Sequence, residues 1–172
     1  MQDYLLDTNI IPYYSELKGG CKSLECYNLQ SNLNKLIGEH RLFLSVVSQG
    51  EIEYGLNTAP VKDIIQQDQV RKTIDGFPLL NIDSNVASNY GDLRGRLFRY
   101  CAPRVRRGRS KRSKRIEEWF DPTTSKELQI QENDLWLCAV AMTYNLIFVT
   151  HDSMDPLKQV TKGDLLFEDW LV

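Results

Sequence analysis

The stretch ENDLWLCAVAMTYNLIFVTHD, residues 132–152, reads as a helix that runs directly into a strand. NDLWLCAVAMTYN, 133–145, is apolar nearly all the way round, which suits a helix buried between a sheet and another surface. LIFVT, 146–150, is a continuous apolar run of the kind expected in a sheet covered on both faces. A carboxylate stands at each end. Asp134 opens the helix behind an expected Asn133 cap, and Asp152 follows the strand.

The same alternation of strand and helix extends over the rest of the chain and predicts an α/β fold with a mostly parallel sheet of four or five strands. DYLLD (3–7), RLFLSVV (41–47) and FPLLNID (77–83) are the other strands, and DLLFEDW (164–170) is a candidate edge strand. Helices are expected over about 22–38, 48–57, 60–75 and 83–100, with Pro12 fitting an early helical turn. Residues 101–131 break the rhythm with basic, proline-containing and polar sequence. They are expected to be an insertion into one domain spanning 1–172.

The totals narrow the function classes. A chain of 172 residues with 42% hydrophobic and 26% charged residues has the composition of a globular protein with its own core, not of a disordered one. It has no run approaching the ~20 apolar residues of a membrane span, and MQDYLLDTNI lacks the basic-then-apolar pattern of a secretory signal. A cytoplasmic location is therefore expected. The four cysteines, Cys21, Cys26, Cys101 and Cys138, show neither zinc-site nor C-x-x-C spacing and are expected to be reduced and mostly structural.

In a parallel sheet with helical crossovers, each helix starts near the carboxyl end of the preceding strand, and ligands collect at that edge. Asp7 ends the first strand. Glu51, in SVVSQGEIEYG, is expected in the opening turn of the next helix, and Asp134 and Asp152 flank the buried helix and its strand. The four acids thus converge from distant parts of the chain. Converging carboxylates raise each other's pKa unless a cation is present, and oxygen-only donors point to Mg²⁺ or Mn²⁺. Such a metal activates water for attack on phosphorus, so the chemistry implied is phosphodiester hydrolysis. Each acid also has a plainer role open to it. Asp7 and Asp134 could simply cap helices, Glu51 could be a surface glutamate, and Asp155 rivals Asp152. Glu53 is expected to face elsewhere, and Asp83 to cap a helix. His40 is expected on a surface loop; His151, beside Asp152, could touch a phosphate or do nothing.

YLLDTNII, SVVSQGEIEYGL, LLNIDSNVASNYGDLRGRL, ENDLWLCAVAMTYNLIFVTHD and LLFEDW, in this order and spacing, resemble the PIN-domain ribonucleases, and among them the VapC-type toxins of toxin-antitoxin systems. The resemblance implies a three-layer fold and a Mg²⁺- or Mn²⁺-dependent endoribonuclease whose acidic positions fall on Asp7, Glu51, Asp134 and Asp152. It implies supporting roles for Thr8, Asn9 and Thr150. It also implies a homodimer, and a partner antitoxin that places a basic side chain in the acidic cleft. Two other functions stay open: a non-catalytic RNA-binding module on the same fold, and an RNA-processing nuclease without an antitoxin.

The sequence departs from the family pattern in the insertion, where RVRRGRSKRSKR (104–115) holds eight Lys or Arg and no acid. Because this strip contributes +8 to a formal total of −2, the other 160 residues carry −10. Arg104, Arg106, Arg107, Arg109, Lys111, Arg112, Lys114 and Arg115 are candidates for an RNA-backbone clamp. A solvated loop, or one docked on an acidic surface, is the alternative. Within IEEWFDP (116–122), Trp119 and Phe120 are expected to anchor the far end on the core.

Overall fold

The computed structural model describes residues 2–36, 38–60, 63–101 and 115–172. Strands β1 (Tyr4–Leu6), β2 (Leu42–Ser45), β3 (Leu79–Leu80), β4 (Ile147–Val149) and β5 (Phe167–Glu168) form one parallel sheet in the order β3-β2-β1-β4-β5. Helices α1 (Ile11–Gly19), α2 (Leu24–Lys35), α3 (Val46–Thr58), α4 (Ile64–Ile74), α5 (Ser84–Cys101), α6 (Glu132–Tyr144) and α7 (Asp155–Val160) connect and cover it. The expected α/β architecture is present, with all five strands parallel. β1 is central, so the residue that follows it emerges in the middle of the carboxyl edge.

Strand alternation explains the three layers. Tyr4, Leu5 and Leu6 pair in register with Ile147, Phe148 and Val149. Leu5 and Phe148 face one way, into a core with Leu93 and Leu97 of α5 and Leu135 and Val140 of α6. Tyr4, Leu6, Ile147 and Val149 face the other way, against Ile11 of α1, Leu29 of α2 and Ile74 of α4. Both faces of the central strands are therefore apolar, which is why their sequences are continuous hydrophobic runs. Each fully buried Leu or Phe contributes roughly 1.5–3 kcal/mol.

Helix α6 turns sharply into β4 through Asn145, which adopts the left-handed conformation at φ 53° that Asn tolerates better than most side chains. That turn returns the chain to the sheet with α6 antiparallel to β4. The start of α6 and the end of β4 consequently share the carboxyl edge. Helix α5 is held to α6 by the stacked rings of Tyr90 and Trp136, 3.8 Å apart, and by Asn89 Nδ2 donating to Thr143 Oγ1 at 2.8 Å. At the opposite, amino edge, the Arg41 guanidinium and amide grip Asp3, tying β1 to β2.

Several boundaries differ from the sequence expectation. Pro12 stands in the first turn of α1, as expected, but α1 and α7 have too few apolar repeats for their extent to be read from pattern alone; packing of α1 against α2 and α4, and of α7 against α5, makes them helical. β2 ends at Ser45 because Ser45 Oγ accepts the Val47 amide and starts α3 two residues early. Trp119 is buried in the core with Ile116, Leu128 and Ile130, whereas Phe120 is half-exposed beside an isolated bridge to Glu127. The cysteines need a correction: Cys101 and Cys138 are free and buried, but Cys21 and Cys26 form a disulfide. The turn between α1 and α2 brings their Cα atoms to 5.4 Å, a separation that spacing along the chain does not reveal.

Phe148→Ala is expected to cost about 3–5 kcal/mol, because it opens a cavity beside β1. Phe120→Ala should stay within about 0.5 kcal/mol of wild type. Urea unfolding monitored by circular dichroism measures both.

Candidate active site

Asp7 directly follows β1, and its amide continues the sheet by donating to the Val149 carbonyl at 2.9 Å. The carboxylate is only 4% exposed. Its Oδ1 accepts the Thr8 amide at 2.6 Å, which starts a 3-10 turn over Thr8–Ile10, and its Oδ2 accepts the Thr150 hydroxyl at 2.6 Å. Thr150 is a junction in its own right. Its Oγ1 also accepts the Asp152 amide at 3.1 Å and Asn9 Nδ2 at 3.4 Å, while Asn9 Oδ1 accepts the His151 amide. The loops after the two central strands are thus cross-linked through one buried hydroxyl.

Glu51 reaches the same edge from the second turn of α3, not the first, because that helix starts early. Both of its oxygens are held: Oε2 accepts the Thr8 hydroxyl at 2.6 Å, and Oε1 accepts Asn133 Nδ2 at 2.8 Å. Asn133 is therefore not the cap of α6, as the sequence suggested. The cap is Gln131, whose amide donates to Asp134 Oδ2 at 2.7 Å. Asn133 and Gln131 are the site residues that sequence reasoning missed. The only signal was an amide next to Asp134, and nothing local shows that Glu51, 82 residues away, lies opposite.

The electrostatics follow from burial and crowding. Desolvation pushes Asp7 up to about 7, with the charges of Asp134 and Asp152 adding to the rise and the Thr150 and Thr8 hydrogen bonds opposing it. Asp134 is pushed up to about 6, again chiefly by desolvation, with the Gln131 amide opposing and Asp152 and Glu51 raising it. All four acids selected from the sequence therefore meet at one edge. Asp152 is the most exposed of them, and Asp155, its rival, instead opens α7. The Cys138 thiol is fully buried, well above its ordinary pKa, and feels the charges of Asp134 and Asp7, which places it beneath the site. Ser48 Oγ, one turn before Glu51, is buried and has no hydrogen-bond partner among the described residues.

The remaining candidates lie elsewhere. Glu53 pairs with Arg71 at 2.9 Å, and Asp83 caps α5 by accepting the Asn85 and Val86 amides. His151 turns outward to Asp169, 2.9 Å away, and His40 is exposed near the Gly38 carbonyl. Of the basic strip, Arg104, Arg106, Arg107, Arg109, Lys111, Arg112 and Lys114 lie outside the described residues; Arg115 is exposed at the start of the turn leading to Trp119.

This edge, with buried Asp7 and three further acids gathered at the carboxyl end of a parallel sheet, has counterparts among known proteins. The PIN domain family model matches residues 4–162. The chain belongs to the PIN domain family. Among solved structures, VapBC2 from Rickettsia felis bound to a promoter DNA fragment is similar over 98% of this chain and 99% of that one, at 21% identity and a TM-score of 0.64. VapBC-1 from nontypeable Haemophilus influenzae matches over 98% of both chains, at 20% identity and a TM-score of 0.63. DNA-bound VapBC from Salmonella typhimurium matches over 99% of both, at 17% identity and a TM-score of 0.62. At these identities the likeness is one of fold. A comparison with curated proteins returns no match.

The raised carboxylates make stability depend on pH. The folded PIN domain keeps protons on Asp7 and Asp134 that the unfolded chain, with carboxyls near their ordinary 3.8, has released. This contribution to stability is therefore complete below about pH 4 and is lost as pH rises toward about 7. Asp7→Asn removes the ionising group, so its Tm should exceed that of wild type by a margin that grows between pH 4.5 and 7.5 in metal-free buffer. Paired calorimetric scans across that range read the margin.

Proposed function

We propose that this PIN domain is a metal-dependent endoribonuclease acting as the toxin of a toxin-antitoxin pair. The observation that carries this reading is the gathering of buried Asp7 and half-buried Asp134 at the carboxyl edge, each pushed toward neutrality, with Asp152 and Glu51 adding negative charge. Such a cluster is costly without a cation. Among the described residues no three His, Cys, Asp or Glu side chains close into a cage for an ion. Mg²⁺ and Mn²⁺ are held by one or two carboxylates and keep most of their waters. The all-oxygen donor set fits the same ions.

Asp7, Glu51, Asp134 and Asp152 would together supply the oxygen donors that hold the ion. When bound, it would supply a more acidic water and a counter-charge for the phosphate. Thr150 and the Thr8 amide fix the Asp7 carboxylate by occupying one lone pair on each oxygen. Asp134 spends Oδ2 on the Gln131 amide, which leaves Oδ1 for the cleft. Thr8 and Asn133 orient Glu51, and a carboxylate so placed can accept a proton from attacking water at an Oε.

The partners follow from the same reading. A groove of about 950 Å³ between α1, α3 and α4 runs up to Thr8 and Glu51, with Ile11, Ile52 and Val70 among its walls. An antitoxin segment lying there would bring a basic side chain to the acids. VapBC-5 from Mycobacterium tuberculosis, a further structure of similar fold and by its title a member of the VapBC family of toxin-antitoxin systems, supports such a partner. We place the active form in a homodimer in the cytoplasm, as one domain carrying the basic insertion as an RNA clamp. Among the described residues no helix is long and apolar enough to cross a membrane. In a reducing compartment the turn between α1 and α2 would keep a second restraint, the Ser23 amide and hydroxyl donating to Glu16.

The purified protein should cleave single-stranded RNA with Mg²⁺ or Mn²⁺ and lose this with chelator or on Asp7→Asn. The small protein encoded beside it, added in equimolar amount, should stop the reaction. Cleavage that survives chelator and Asp7→Asn would reject the mechanism. Asn133→Ala, which removes one of the two donors on Glu51, should lower kcat roughly ten- to hundredfold. It should also weaken Mn²⁺ binding in calorimetry, while leaving Tm within a few degrees.

A further inference from the structure

Beyond the acids, on the far side of the Asn133–Glu51 hydrogen bond, lies an open depression of about 480 Å³. Val46, Val47, Tyr54, Ile82 and Trp136 form its walls, and Glu51 and Asn133 form the rim it shares with the candidate active site. We propose that this depression is a nucleobase subsite, which holds the base of a nucleotide adjoining the scissile phosphate. The proposal rests on the nuclease reading above and adds what that reading lacks, a determinant of which RNA sequence is cut.

Four observations carry it. First, the two sites adjoin, since Glu51 serves both, so a strand whose phosphate lies over Asp7 and Asp134 has these walls within reach of a neighbouring base. Second, among the described residues the lining holds no Lys or Arg, so the groups present there suit neither a phosphate nor an acidic peptide. Apolar walls with polar groups gathered on one rim suit a flat ligand with apolar faces and hydrogen-bonding edges. Third, the aromatics are set for stacking. Tyr54 is 72% exposed one turn after Glu51 on the same face of α3, and the Trp136 ring is already fixed by its stack on Tyr90. A fixed ring loses little freedom on binding. Fourth, Gly50 lines the depression from inside α3, where glycine weakens a helix. It has no left-handed φ, and a Cβ there would meet nothing within 4 Å. Neither backbone strain nor crowding requires it, and its absent side chain keeps the depression open.

The test uses the full chain and oligoribonucleotides that it cleaves. Tyr54→Ala and Gly50→Leu, both at exposed positions, should raise KM roughly tenfold, the scale of one lost base–aromatic stack, with kcat within twofold. Both should flatten nucleotide preference at one position flanking the cut. An abasic substitution at that position should give the same loss, and Tyr54→Ala should add nothing to it. Unchanged KM and preference in both variants, with cleavage intact, overturn the subsite and leave the nuclease reading standing. If the wild-type chain cuts no RNA, the nuclease reading fails and the subsite is judged by binding: Asp7→Asn protein should quench 2-aminopurine in single-stranded RNA, and Asp7→Asn/Tyr54→Ala should not. Absence of quenching overturns the subsite as well. Conversion of a dimer to a monomer by Tyr54→Ala, with KM unchanged, assigns the face to a second copy and overturns the proposal.

Discussion

The hydrogen bond from the Thr150 hydroxyl to Asp7 Oδ2 joins the ends of the two central strands, and the organisation of the carboxyl edge depends on it. A carboxylate this deeply buried is destabilising unless its lone pairs are met. Here one oxygen is met by the neighbouring amide of Thr8 and the other by a residue from the adjacent strand. Because Thr150 also accepts from Asn9 and from the Asp152 amide, the loops after β1 and β4 are set by one hydroxyl. Burial of Asp7, placement of Asp152 and the path of the Asn9 turn are coupled consequences.

A second set of restraints brings in acids from further away. Thr8, fixed by the turn that Asp7 starts, donates to Glu51, and Asn133 completes the grip from the start of α6. The fold makes this possible by burying α6 along its length while leaving its first turn at the edge. The apolar mass of Leu135, Leu137, Cys138 and Val140 holds the helix rigid, and the polar amide and carboxylate ahead of them are free to serve the site. The helix is thus divided between an apolar body in the core and a polar first turn at the edge. The same helix presents Trp136 to the depression beside Glu51, so the acidic edge and the proposed base contact share one support.

The belonging of this chain to the PIN domain family rests on the match over residues 4–162, while the resemblance to VapBC structures is one of fold at low identity. What the chain does with that fold is carried by its own residues. The carboxylates of Asp7 and Asp134 are displaced in the direction that invites a cation, and the groove between α1, α3 and α4 opens onto them. The disulfide between Cys21 and Cys26 borders this groove at the turn between α1 and α2, where Glu16, Gly20 and Lys22 line it.

Much of this was legible in the sequence for definite physical reasons. A strand buried on both faces must be apolar throughout, so YLL and LIFV announce themselves, and a charge immediately after such a run must lie at a sheet edge. The topological rule for parallel sheets then says which edge, and Asp7, Glu51, Asp134 and Asp152 follow. Helices α1 and α7, the early start of α3, the role of Asn133, the Cys21–Cys26 pairing and the half-exposure of Phe120 were not legible. The role of Asn133 depends on which distant residue lies opposite, and the early start of α3 and the Cys21–Cys26 pairing depend on local backbone geometry; hydrophobic periodicity carries no information about either. The sequence by itself determined the layers, the strand direction and the acids, because hydrophobic period and chain order constrain them directly. Only the tertiary structure decided that Asn133 faces Glu51, that Thr150 binds Asp7, and that an aromatic-walled depression adjoins them, because those contacts arise from packing between segments far apart in the chain.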